Sequence, residues 1–461
     1  MVLRMLCLLW LISGALLSGC SPTPVPLPEI ITPETPVRTE APAITATPHP
    51  EGTTTALPTP ARPPSVTPAS AWCQERSPEE RPLQGILRVG MVKENDVWIW
   101  EEGGASRQLT DHGDAGQVYL SDDGQVAVYT RPSENGMVEL WKVDVLGGKP
   151  EALLTANEFG RLRRERGQLG VIPYNINWVP GTHRLAFNTY PVVRGEGIWI
   201  YVPDDLRTID VDTKELTTLF PTGSGGHFSF SPDGKSLALF SPESFKIYGV
   251  DGVEIPGGNL EVYRAIAYGE YYGYPWPQWS PESDRLLVAV PRDIDPLMTE
   301  ARVDVWEVKV DGSQPALINS FQAYMSESVI SPDLEKIAYW RQAEQRSSGR
   351  ELRIMEVYGD EDQAFAQGNV MERFQWLPDS EHYLFWYTDS WDPWLGHLCK
   401  EAVQMHGLAI RSDIHWVDER RYLYLSGSEA SWSLNLGDLA VGQTQLEELG
   451  ESYSFAYTSL P

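Results

Sequence analysis

The sequence predicts an all-β protein, an eight-bladed β-propeller of four-stranded antiparallel blades, and three observations predict it. A short hairpin unit recurs seven times. The copies follow one another at a spacing of about 50 residues. The last stretch of chain reads as a strand without partners of its own, and the first blade lacks one strand. A seven-bladed ring is the alternative count.

The type unit is FSFSPDGKSLALF, from Phe228 to Phe240. Ser231-Pro232-Asp233-Gly234 is a tight turn: Pro presets φ, the Asp side chain bonds nearby backbone, and Gly accepts φ > 0. Phe228 and Phe230 alternate with small polar residues before it, as do Leu237 and Leu239 after it, the period of half-buried strands. The other copies begin at Leu120, Trp178, Trp279, Ile330, Trp376 and Trp416. Their second turn positions, including Pro232, are 122, 180, 232, 281, 332, 378 and 418. Such a period, with a two-strand core per repeat, marks a propeller or array rather than one closed barrel.

In chain order, residues 1–19 read as a signal segment, with Arg4 before an apolar run from Leu6 to Leu17 that is too short for a comfortable membrane span. The run ends in Leu17-Ser18-Gly19-Cys20, which resembles the bacterial lipobox. That resemblance implies acylation of Cys20 and attachment through its lipid. Ser21, rather than Asp, follows it, which implies an outer leaflet or the outer membrane. Residues 20–80 form the lipidated cysteine and a Pro- and Thr-rich stalk with almost nothing to build a core. Fifty residues of polyproline II reach on the order of 150 Å.

The propeller is assigned to 81–461. Its opening stretch has strands at Ile86 to Met91, Asp96 to Trp100 and Ser106 to Thr110, but no strand before them. Ser452 to Thr458 fits the missing place, so the two chain ends complete one blade and leave no sheet edge exposed. Each later hairpin is followed by an outer strand pair, giving strands A to D from the axis outward. The poorest pair is WLGHLCKEAVQMHGL, in the blade over 374–410.

The SPDG-type hairpins, each followed by an apolar strand, with motifs such as DVWIW and RQLT, resemble the WD40-like repeats of the TolB type. The resemblance implies the fold. It does not choose among binding scaffolds, periplasmic assembly factors and accessory domains of peptidases, which all use this repeat.

Composition narrows function. The formal net charge of −28 disfavours nucleic acid, and only three basic and four acidic side chains fall in the first 70 residues. No G-x-S-x-G, H-E-x-x-H, C-x-x-C or phosphate loop occurs, so no enzyme and no cofactor is expected. The histidines are scattered without ligand spacing, so no metal is expected either. Of the four cysteines, Cys73 and Cys399 are left either to bridge in an oxidising compartment or to stay as two buried thiols.

Two sets of candidate residues remain. Strand A is innermost, which puts Asn175, His227, Glu327, Arg373, Asp413 and His415 along the channel. His227 and His415 are the candidates for an alternative reading, an enzyme with a channel site like that of a propeller polysaccharide lyase. The second set lies on the face carrying the B–C and D–A loops. One D–A loop holds Tyr263, Tyr268, Tyr271, Tyr272, Tyr274 and Trp276. A B–C loop holds Trp391 and Trp394, and another D–A loop offers Arg163 and Arg164 as a rim. These aromatics either bind a protein, peptide or glycan or fold over and plug the channel mouth. The leading expectation is a non-enzymatic binding lipoprotein at the cell surface or in the periplasm; a purely structural envelope component is the third.

Overall fold

In the computed structural model the structure describes residues 72, 83–163, 167–193, 202–268, 271–292, 300–324, 328–343, 349–388, 392–405, 414–428 and 431–460. Cys20, Cys73, Arg164, Glu327, Trp391 and Asp413 lie outside them, as do the signal segment and most of the stalk, and the side chains of Tyr268 and Tyr271 are likewise outside. The chain divides into Met1–Ala61 and Arg62–Pro461, and all that follows concerns the second unit.

That unit holds eight antiparallel blades. Blade 1 is composite: Arg107–Gln108, Asp96–Glu101 and Ile86–Lys93 pair in that order, and the C-terminal strand Phe455–Leu460 takes the innermost place. Gly90 faces Ala456 in the register. Blades 2 and 3 run from Val118 to Leu154 and from Gln168 to Phe220, and blades 5 to 8 from Gln278 to Tyr324, Ser328 to Gly368, Val370 to Gln404 and His415 to Gly450. Blade 4 has strands at His227–Phe230, Ser236–Ser241 and Ser244–Gly249. Its fourth position is held by returning chain, where Tyr248 bridges Glu254 and Ile255 N–H donates to the Ile247 carbonyl at 2.9 Å. The poorest pair by sequence still forms, as Trp394–His397 and Lys400–Gln404.

The apolar core is divided among the blade boundaries. Eight clusters of buried residues each join one blade to the next, and the eighth brings Leu423 and Leu434 of blade 8 onto Leu87, Val89 and Met91 of blade 1. The ring is therefore closed by packing as well as by strand pairing. It also explains a departure from the half-buried strand expected by sequence. Leu237 and Leu239 pack toward blade 3, while Ala238 and Phe240 pack toward blade 5. A strand sandwiched between two blades buries both faces, so the run from Ser236 to Phe240 is buried throughout.

The repeated turn is built by its own side chains. Ser231 Oγ donates to Asp233 Oδ1 at 2.7 Å and accepts from Ser236 N–H at 2.9 Å. Ser121 and Asp123 repeat this, with Val126 N–H on the Ser121 oxygen at 3.0 Å. These Asp carboxylates are thus committed to turn chemistry. Neighbouring turns also hold one another. Asp122 accepts from Gly181 N–H at 2.8 Å, Asp233 N–H donates to Ser283 Oγ at 3.0 Å, and Asp333 N–H to Ser380 Oγ at 3.0 Å. Gly234 has φ 68°, and a Cβ there would lie 2.2 Å from the Pro180 carbonyl oxygen, so both conformation and space exclude a side chain.

His183 adds a titratable clasp between blades 2 and 3. Its Nε2 lies 2.9 Å from Asp123 and its Nδ1 2.8 Å from Asp212. Burial alone would lower its pKa, but the two carboxylates outweigh burial and raise it above 6.5. Asp123 is held below its usual range, its hydrogen bonds from Ser121, Gln125 and His183 outweighing burial. The raised His contributes stability fully below 6.5 and loses it as pH rises through the folded value; the lowered Asp loses its share as pH falls below 3.8. His183→Gln should therefore cost about 0.5 kcal/mol at pH 5 and less at pH 8, by urea unfolding. An equal cost at both pH values would refute the clasp.

Trp72, well before blade 1 in sequence, is buried at the outer strands of blades 6 and 7. Its ring stacks on Phe365 with centroids 6.2 Å apart, and its Nε1–H donates to Glu356 at 2.9 Å. Cys399 belongs to the same cluster and is disulfide-bonded.

Candidate binding surface

The long D–A loop between blades 4 and 5 sorts its aromatics by depth. Tyr263 is fully buried, with its ring 5.4 Å from Phe245 and 6.0 Å from Phe240 and its hydroxyl donating to the Pro275 carbonyl at 3.2 Å. Burial pushes its pKa up. It pins the loop and offers no surface. Beyond it, Ile266–Tyr268 and Tyr271–Gly273 form a two-stranded ribbon in which Tyr268 faces Tyr271. The chain then returns over the start of blade 4. Tyr272 is 36% and Trp276 40% exposed, while Tyr274 between them is half-buried. The loop is thus a plug at its base and a surface at its tip.

His227 lies beneath this tip. Its ring is 4.3 Å from Tyr274, 5.5 Å from Trp276 and 5.7 Å from Phe240. It is 8% exposed, and burial pushes its pKa down to about 4, so it is neutral at physiological pH. Its Nδ1 and the Tyr274 hydroxyl are buried with no hydrogen-bond partner among the described residues. No charged group figures among the causes that shift His227, and none among those that raise Tyr274, which are burial and the neighbouring Tyr272 and Tyr174.

Tyr174, on strand A of blade 3, acts on Tyr274 and lies 6.3 Å, centroid to centroid, from Tyr190 on strand B. Neither belongs to the repeated hairpin unit. Their one signal is the length of that hairpin, whose strands of 11 and 10 residues run well past the repeat.

The other candidate residues are dispersed. Arg163 is not at a rim: its side chain is 7% exposed and pairs with Asp204 at 2.6 Å, just past the helix α1 (Ala156–Leu162) that Thr155 caps. Trp394 does not sit in a loop but opens strand C of blade 7 opposite Phe385 and packs against Phe385 and Tyr387. Asn175, at φ 51°, marks a bulge and donates to Asn188 at 3.2 Å. The Arg373 guanidinium lies 4.2 Å over Trp386. His415 stands edge-on to Phe455 at 5.0 Å. It belongs to blade 8, four blades round the ring from His227 in blade 4, so the two histidines are not brought into one centre.

Cross-strand pairing places His382 opposite His397, and with Glu381 they bring ligand atoms within 4.8 Å of one another, a grouping no spacing in sequence announced. Its hydrogen bonds argue against a metal. Asp379 holds His382 Nδ1 at 2.8 Å, but Cys399 N–H donates to His397 Nδ1 at 2.9 Å, which puts the His397 proton on Nε2 and leaves it no lone pair for an ion. A groove of about 470 Å³ lined by Asp284, Arg285, Glu307, Lys309 and Tyr358 is similarly self-satisfied, since Arg285 pairs with Asp284 at 3.2 Å and Lys309 with Glu307 at 3.3 Å.

The strand pairing and the inter-blade clusters define a β-propeller with an aromatic nest on its loop face. No protein-family model matches the chain, and no curated protein sequence matches it. Similar solved structures include a eukaryotic initiation factor, 12% identical over 80% of this chain and 85% of that one, with a TM-score of 0.49. A prolyl endopeptidase is 11% identical over 74% of this chain, with a TM-score of 0.49, and the chain spans 50% of its length. TolB from Acinetobacter baumannii is 10% identical over 83% of this chain and 68% of its own, with a TM-score of 0.34. At these scores the fold assignment rests on the pairing itself.

Proposed function

We propose that the chain is a non-enzymatic binding lipoprotein, held at the outer leaflet or outer membrane by lipid on Cys20, raised on its Pro/Thr-rich stalk, and docking its partner on the loop face of the propeller. The exposed pair Tyr272 and Trp276 carries this reading: Trp276 packs edge-on against buried Phe240 and Tyr272 lies against half-buried Tyr274, and solvent-facing aromatics over an apolar bed suit recognition. The disulfide at Cys399 supports an oxidising compartment. Cys73 is its proposed partner, because the adjacent Trp72 is buried in the cluster that includes Cys399.

Mass spectrometry of the membrane fraction tests the anchoring: an acylated peptide beginning at Cys20 and a non-reduced Cys73–Cys399 crosslink are expected, with Cys20→Ala released to the soluble fraction. An unmodified soluble chain overturns it. Tyr272→Ala and Trp276→Ala test the docking face. Each should weaken capture of the partner by about 2 kcal/mol while leaving the fold intact; unchanged capture removes the face from the proposal.

A further inference from the structure

We infer that the nest formed by Tyr272, Tyr274, Trp276 and His227 binds a neutral glycan. The inference rests on the docking reading above and names its ligand. The exposed rings of Tyr272 and Trp276 flank Tyr274, and Tyr272 and Tyr274 lie 6.1 Å apart. The negative face of an aromatic ring attracts the positively polarised C–H groups of a pyranose face, so successive rings suit successive sugar units.

The second observation is independent of exposure. His227 Nδ1 and the Tyr274 hydroxyl are buried without partners among the described residues, and such groups call for a ligand or an ordered water. A sugar hydroxyl both donates and accepts, so it satisfies either tautomer of the neutral His227 as well as the tyrosine. A proline-rich peptide, the other common occupant of aromatic grooves, presents tertiary amides that only accept, so it meets the Tyr274 hydroxyl and one His227 tautomer but not the other. The third observation is charge. In a chain of net charge −28, no carboxylate or cation contributes to the shifts of His227 and Tyr274. Surroundings without a carboxylate or cation acting on these two groups favour a neutral ligand over phosphate, uronate or a charged peptide.

The experiment is isothermal titration of the detergent-solubilised full chain with cellohexaose, mannohexaose, maltohexaose and xylohexaose. At least one should bind, with Kd raised tenfold or more in Trp276→Ala and Tyr272→Ala and little changed by 0.5 M NaCl. His227→Phe keeps an aromatic ring in the nest and removes the unpartnered nitrogen. It should raise Kd several-fold while leaving the melting temperature unchanged or higher, a combination that a merely structural role does not produce. Failure of all four oligosaccharides overturns the inference, as does binding that Trp276→Ala leaves unchanged. A protein or proline-rich peptide whose capture depends on Trp276, with no glycan bound, overturns the glycan and leaves the docking face standing. Loss of neither kind of binding in both aromatic variants overturns the docking face as well.

Discussion

Arg421→Ala is expected to lower stability by about 3–5 kcal/mol, the cost of breaking a buried ion pair from one side. The Arg421 side chain is 2% exposed and that of Asp418 is fully buried, with Nε donating to the carboxylate at 2.8 Å. The same guanidinium reaches Glu102 and donates to the carbonyls of Gln84 at 3.0 Å and Gly85 at 3.3 Å. Asp418 and Arg421 belong to blade 8, whereas Gln84, Gly85 and Glu102 belong to the opening segment of blade 1. One side chain therefore spans the seam where the two ends of the chain meet. Removing it leaves the Asp418 carboxylate buried and facing only backbone N–H groups, chiefly those of Arg420 and Arg421. Urea unfolding of the variant measures the loss. Arg285→Ala provides the contrast, because its partners are partly exposed and it should cost under about 1 kcal/mol. Equal, small losses at the two positions would mean that the seam is held by packing alone.

What the sequence disclosed and what it hid differ in range. The hairpins were legible because their chemistry is local: the turn side chains act within six residues, and the Ser–Asp pair recurs at Ser121–Asp123, Ser231–Asp233 and Ser331–Asp333. The composite blade was legible by subtraction, one strand missing at the start and one unpaired at the end. Depth was not legible. Tyr263 and Trp276 belong to one aromatic run, yet Phe245, from another strand, packs on the first and makes it core, while the second stays 40% exposed. Arg163 looked like a rim charge because Asp204, its partner, lies 41 residues on. Trp394 looked like a loop residue after Asp392 and Pro393, and only its register with Phe385 makes it a strand. His382 and His397 show no ligand spacing, because a cross-strand pair leaves its mark in the register rather than in the spacing. In each case the deciding contact is non-local, and composition carries no record of it.

Removing the last ten residues, from Ser452 onward, is expected to do more damage than any single substitution. The strand Phe455–Leu460 pairs with Ile86–Met91 over six residues and is the innermost strand of blade 1. It also ties three blades. Tyr457 donates its hydroxyl to the Trp416 carbonyl of blade 8 at 2.8 Å, Ser454 Oγ accepts from Val118 N–H of blade 2 at 3.0 Å, and Thr458 donates to the Asp122 carbonyl. Its loss uncovers the edge of Ile86–Lys93, with unpaired N–H and C=O groups beside Leu87, Val89 and Met91, which are now completely buried. Without its closing strand, blade 1 loses Phe455 and Tyr457 from its packing on blade 8 and Ala456 from its packing on blade 2, and the loss should consume most of a stability of about 5–15 kcal/mol. The truncated chain should elute as aggregate in size-exclusion chromatography and be cut rapidly by protease, and a synthetic peptide of residues 452–461 added during refolding should recover part of the monomer. Tyr457→Phe, which removes one hydrogen bond and keeps the strand, should cost only about 1 kcal/mol. A truncated chain that stays monomeric and resists protease as the whole chain does would show that the inter-blade clusters close the ring without the strand.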